Sequence, residues 1–82
     1  MTIIQLYTLS TCVYCKRLKK FLRDNGFEFE YTDVDTLTGS EREEVLMKIM
    51  EINPRISFPT AVINGVVIVG FDEMKVQRAL GL

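Results

Sequence analysis

Two cysteines two residues apart, in the run Cys12-Val13-Tyr14-Cys15, stand where an apolar stretch gives way to a basic amphipathic one. Ile3-Ile4-Gln5-Leu6-Tyr7 precedes them, mostly apolar and led by β-branched side chains, which predicts a buried strand. Lys16 to Arg23 follows, with Cys15, Leu18, Phe21 and Leu22 on one helical face and Lys16, Lys20 and Arg23 outside it. A strand that runs directly into a helix restricts the fold. The next strand lies parallel to the first, reached by a right-handed crossover. The junction also puts Cys12 at a helix N-terminus, where free N–H groups and the macrodipole favour a thiolate. A dithiol there can close into a disulfide, which points to thiol–disulfide exchange.

The rest of the chain continues the alternation. Asn25-Gly26 predicts a left-handed stop to the first helix. Phe27, Phe29 and Tyr31 alternate with Glu28, Glu30 and Thr32, the period of a half-buried strand. Ser40-Glu41-Arg42-Glu43 has the form of a capping box and predicts a second helix starting there. Its apolar stripe is Val45, Leu46, Ile49 and Met50, and Asn53-Pro54 ends it. Asn64-Gly65 between Thr60–Ile63 and Val66–Val69 predicts a hairpin with a type I′ turn. Asp72 caps a last helix, with Met74 and Leu80 on or near its apolar face. The expected fold is α/β, in the order βαβαββα: a four-stranded mixed sheet with three helices, one domain over residues 1–82.

Composition narrows the function classes. With 48% hydrophobic residues, the 82-residue chain can bury a core without disulfide staples. A net charge of −1 gives no electrostatic reason to expect nucleic acid or an acidic membrane as partner. The charge is uneven, because Lys16, Arg17, Lys19, Lys20 and Arg23 crowd one helix. That cluster reads either as a solvated face or as a device that favours a cysteine thiolate and steers anionic partners. No apolar run approaches the roughly 20 residues of a membrane span, and no secretory leader is evident. A cytoplasmic, monomeric protein is expected, and there a Cys-x-x-Cys pair is catalytic or metal-binding rather than a structural bridge. A zinc site usually takes four cysteine or histidine ligands; two cysteines and no histidine supply half, so no metal site is expected within one chain.

Three segments together carry a family resemblance: Cys12-Val13-Tyr14-Cys15 after the first strand, Ser57-Phe58-Pro59 before the hairpin, and Gly70-Phe71-Asp72 opening the last helix. At these spacings the chain resembles glutaredoxins and the glutaredoxin-like NrdH-redoxins, of the thioredoxin fold, over essentially its whole length. Thr11 and Leu6 stand where thioredoxins carry a tryptophan and a buried carboxylate, which separates the chain from thioredoxin proper. Val13 replaces the usual glutaredoxin proline, as in NrdH-redoxins, while Tyr14 keeps the glutaredoxin character.

The resemblance implies a cis Phe58–Pro59 bond beside the dithiol, with the Phe58 backbone left free to pair with substrate. It implies Arg55 and Asp72 as holders of the two ends of glutathione, and Tyr14, Phe58 and Phe71 as an apolar rim to the site. Leu9 stands where many glutaredoxins place a glutathione-binding lysine, and Val69 replaces one of two glycines ahead of Asp72. The implied site is therefore Cys12 as nucleophile and Cys15 as resolving thiol, with Tyr14, Arg55, Phe58, Pro59, Gly70, Phe71 and Asp72 binding substrate. Disulfide-bearing proteins or small molecules are the expected substrates. The reductant is either glutathione, as co-substrate, or a protein disulfide reductase, and no tightly bound cofactor is expected. The alternatives are a conventional glutathione-dependent glutaredoxin and a cluster-binding one, in which two chains bridge a two-iron, two-sulfur centre. A pure interaction module with an incidental cysteine pair is a third. The chain has no histidine to act as an imidazole base.

Overall fold

The computed structural model describes residues 1–82. Strand β1 (Ile4–Thr8) leads into helix α1 (Val13–Asp24), and β2 (Glu30–Asp33) follows with a short 3-10 turn at Val34–Thr36. Helix α2 (Gly39–Ile52), the hairpin β3 (Thr60–Ile63) and β4 (Val66–Val69), and helix α3 (Glu73–Leu80) complete the chain. The strands form one mixed sheet in the order β2-β1-β3-β4. β1 and β2 run parallel with Leu6 opposite Tyr31, while β1–β3 and β3–β4 are antiparallel.

The pleat sorts the core. Ile4 and Leu6 from β1, Ala61 and Ile63 from β3, and Ile68 from β4 share one buried cluster with Leu18 and Leu22 of α1 and Val76 of α3. Leu18 and Leu22 lie one helical turn apart, so a single face of α1 covers the sheet. Each fully buried leucine contributes about 1.5–3 kcal/mol. Phe21, Phe27, Phe29 and Phe71 pack half-buried around the edge of this cluster.

Several boundaries depart from the sequence reading. β1 is displaced by one residue, and Ile3 is exposed. β2 begins at Glu30, so Phe27 and Phe29 reach the core from the segment before the strand, and Tyr31 is half exposed. The Ser40–Glu43 capping box does not form. Gly39, at φ +59, turns the chain into α2 from Thr38, whose side chain makes no capping bond. Of the stripe expected on α2 only Ile49 is buried; Met50 is exposed, and so is Met47. On α3 Met74 is exposed, and the inward position belongs to Val76. The hairpin forms as read: Asn64 and Gly65 both take positive φ, +49 and +83, as a type I′ turn requires.

Candidate active site

The sheet register gathers the three motif segments at one end of the molecule. β1 ends at Thr8 and leads to Cys12. Tyr7 opposes Thr60, so Pro59 lies across from the end of β1. Thr60 opposes Val69 on its other side, and the Gly70 N–H donates to the Pro59 carbonyl at 2.8 Å. Gly70 takes φ +77, the left-handed conformation that carries the chain from β4 toward α3. Asp72 then caps α3, its carboxylate accepting from the Lys75 N–H at 3.2 Å.

Cys12 is the N-cap of α1. Its backbone is extended, and its sulfur accepts the Cys15 N–H at 3.2 Å. One of the four orphan donors of the helix start is thus aimed at the nucleophile candidate. Cys12 is half-buried, whereas Cys15, inside the first turn, is fully buried. Burial, reinforced by the adjacent Cys12 sulfur, pushes the Cys15 thiol up to about 12. The Leu9 backbone and the Lys19 ammonium pull the other way without prevailing. Two thiols of the same chemistry are therefore made unequal by position.

This inequality has a stability consequence. A thiol held more tightly protonated in the folded state stabilises the fold fully below its ordinary value of 9.0 and loses that contribution as pH rises toward 12. Under reducing conditions, the unmodified chain is expected to lose more urea stability than Cys15→Ala between about pH 8 and about pH 11. Equal losses in the two proteins would contradict the assignment.

The loop ahead of Cys12 is tied to the 3-10 turn that follows β2. The Ser10 N–H donates to Asp35 at 2.9 Å, and its hydroxyl donates to the other carboxylate oxygen. These two bonds hold the Asp35 carboxyl below the usual carboxylate range. Behind the loop, the Thr8 hydroxyl donates to Asp33 at 2.6 Å, and Lys19 pairs with the same oxygen at 3.3 Å. None of these contacts is visible as a local pattern in the sequence.

Phe58–Pro59 is cis, with Pro59 buried and Phe58 half-buried. Neither backbone polar group of Phe58 has an intramolecular partner. The loop is held instead through its neighbours. Buried Asn53 donates from Nδ2 to the Ser57 and Thr60 hydroxyls at 3.1 and 3.0 Å, and the Thr60 hydroxyl donates to the Ser57 carbonyl at 2.7 Å. Within this loop Ile56 takes φ +49, an uncommon conformation for a β-branched residue. Arg55 is exposed and belongs to neither of the ion pairs in the structure.

The apolar rim differs from the expected one. Tyr14 is exposed, as the sequence suggested, and the Arg17 guanidinium lies 5.3 Å from its ring centroid. Phe71 instead turns partly inward, its ring 5.8 Å from that of Phe21. The basic cluster is also less free than its charge implies. Lys20 pairs with Asp24, Lys19 with Asp33, and Arg23 lies over the Phe29 ring; Lys16 makes no such contact.

No helix is long and apolar enough to cross a membrane, and no group of three or more histidine, cysteine or acidic side chains converges. The glutaredoxin family profile matches residues 4–68. Glutaredoxin 3 of Escherichia coli strain K12 is 30% identical over 81 residues, spanning 99% of this chain and 92% of its own. Among solved structures, the glutaredoxin from Methanosarcina mazei Go1 superposes with a TM-score of 0.89 at 46% identity, over 98% of this chain and 79% of that one. Methanosarcina acetivorans methanoredoxin gives a TM-score of 0.89 at 45% identity, over 96% and 84%. A dithiol at a helix N-terminus, a cis-proline loop across from it and these matches make the chain a member of the glutaredoxin family of thiol–disulfide oxidoreductases.

Proposed function

We propose that this protein is a dithiol redox carrier that reduces disulfides of proteins or small molecules through Cys12 and Cys15. The supporting observation is the inequality of the two sulfurs: Cys12 accessible and served by a helix N–H, Cys15 buried behind it. Cys12 attacks one sulfur of the substrate disulfide, and the other sulfur leaves with the bonding pair and a proton. Cys15 then attacks the Cys12 sulfur of the mixed disulfide, releasing the second substrate thiol and closing Cys12–Cys15. The free N–H and C=O of Phe58 suit a short β-like pairing with the substrate backbone. Tyr14 offers apolar contact beside it.

The reductant is chiefly a protein disulfide reductase, in the manner of NrdH-redoxins, with glutathione a weak co-substrate. Arg55 and Asp72 remain available to glutathione, but Leu9 is uncharged, and Val69 adds side-chain bulk just ahead of Gly70. One missing charge-assisted contact, worth about 1.5–3 kcal/mol, lowers affinity about tenfold or more. Turnover with glutathione compared with turnover by a flavin- or ferredoxin-linked thioredoxin reductase tests the reading. Leu9→Lys is expected to improve the apparent affinity for glutathione by about tenfold and to leave reduction by the protein reductase nearly unchanged. Saturation of the unmodified protein at ordinary glutaredoxin levels of glutathione would instead mark a conventional glutathione-dependent enzyme.

A further inference from the structure

Resolution of a mixed disulfide requires Cys15 to ionise, yet this thiol is fully buried and the chain holds no histidine. One cation is placed to assist. Lys19 follows Cys15 by four residues on α1 and so lies on the same face, one turn further on. Its neighbour Lys20 points into solvent and pairs with Asp24 in the open. Lys19 does not: its side chain is only 12% exposed, and its Nζ is 3.3 Å from Asp33, itself 20% exposed. The Thr8 hydroxyl fixes the same carboxylate oxygen, and the Tyr31 ring centroid lies 3.9 Å from the Nζ. Removing an ammonium from water is expensive, and a surface helix offers easy escape to solvent. Here Asp33 and Tyr31 of β2, with Thr8 of β1 behind Asp33, hold it inward.

We propose that Lys19, anchored by Asp33 and Thr8, is the positioning residue that lets Cys15 ionise in the resolving step and so sets how fast the mixed disulfide is cleared. The inference rests on the dithiol reading above. In the step, Cys15 gives its proton to water and its sulfur attacks the Cys12 sulfur. The bond from Cys12 to substrate breaks as Cys12–Cys15 forms. The substrate sulfur departs with the bonding pair and takes up a proton, so the protein loses two electrons and the substrate gains two. Lys19 transfers nothing; its charge lowers the free energy of the thiolate. The titratable or charged groups acting directly on Cys15 are Cys12, which opposes ionisation, and Lys19, which favours it. Asp33, on β2, acts through Lys19, and its negative charge partly cancels that of the ammonium.

The signs of these charges separate this role from a structural one. Lys19→Met removes the charge and keeps the stem. Asp33→Asn keeps acceptors for Lys19 and Thr8 and removes the cancelling charge. Stopped-flow reduction of dithiobis(nitrobenzoate) by the full chain resolves the steps: the first coloured thiolate reports attack by Cys12, the second resolution by Cys15. Lys19→Met is expected to slow the second release about tenfold near neutral pH and move its pH profile upward, with the first release within about twofold. Lys19→Arg should recover the rate to within about threefold, and Asp33→Asn should speed the second release by about twofold or more. A second release indifferent to Lys19→Met, or slowed alike by Lys19→Met and Asp33→Asn, overturns the inference. If Lys19→Met does not fold, the acceleration expected in Asp33→Asn decides alone. Absence of any second release from the unmodified chain would overturn the dithiol reading and this inference with it; a normal second release indifferent to Lys19 overturns only the inference.

Discussion

Cys12→Ser is expected to reduce disulfide reductase activity to the uncatalysed background, while Cys15→Ser keeps the first attack and stalls afterwards. The difference follows from position. Cys12 alone combines access with a helix N–H on its sulfur, so no other group in the chain can open the substrate disulfide. With Cys15 replaced, the mixed disulfide at Cys12 has no neighbouring thiol to displace it, and the adduct accumulates. Mass spectrometry after mixing with a protein disulfide should find the adduct on Cys15→Ser and none on Cys12→Ser. The buried serine hydroxyl costs about 1–3 kcal/mol if it finds no partner, so the comparison belongs well below the unfolding temperature. Alkylation by iodoacetamide, which reports the more accessible thiol, gives an independent check. If Cys15→Ser lost rapid alkylation and Cys12→Ser retained it, the roles would be reversed.

Leu18→Ala is expected to be among the most damaging single truncations of the core. Leu18 is fully buried in the cluster shared by α1, α3 and the sheet, one turn beyond Cys15. Such a truncation costs about 2–5 kcal/mol, the spread reflecting how far the cavity collapses. A domain of this size is stable by roughly 5–15 kcal/mol, so a large share would be lost. At about 4–8 °C per kcal/mol, the midpoint should fall by about 8–40 °C in calorimetry. Met50→Ala, on the exposed side of α2, should change stability by no more than about 0.5 kcal/mol. Comparable losses at the two positions would mean that α2 buries more than Ile49.

The contrast between these two helices shows what the amino-acid pattern carries. On α1 the apolar positions, the Asn25-Gly26 stop and the cysteine at the N-cap all agree, and the helix forms as read. The hairpin was legible because Asn64-Gly65 states a backbone requirement that few other pairs meet. On α2 the local signals conflict with the chain's path. The Ser40–Glu43 box has the right letters, but Gly39 has already turned the backbone into the helix, so the capping position falls on Thr38. Its stripe is diluted: Ile49 is fully buried, Val45 and Leu46 are half-buried, and Met50 is exposed. Within the site, the placing of the cysteine pair at the start of α1 was legible from the sequence, and the cis bond at Pro59 only through the family resemblance. The polar ties were not, since their partners lie 25 residues apart. They follow only from the parallel register, in which Thr8 faces Asp33 and the same offset brings Ser10 to Asp35. The inward turn of Phe71 depends likewise on where Phe21 stands.

β2 is an edge strand, paired on one side only; Thr8 is tied to its last residue, Asp33, and the redox loop, through Ser10, to Asp35 in the 3-10 turn that follows it. Edge strands open locally at lower free energy than central ones, which makes them natural boundaries of cooperative units. Opening of β2 would release Ser10 and Thr8 together and unseat Lys19 in the same movement. The nucleophile's loop is then as rigid as the rim of the sheet behind it, not as rigid as the core beneath. Any molecule that added itself along the outer side of β2 would stiffen the redox centre from a distance, without touching either sulfur.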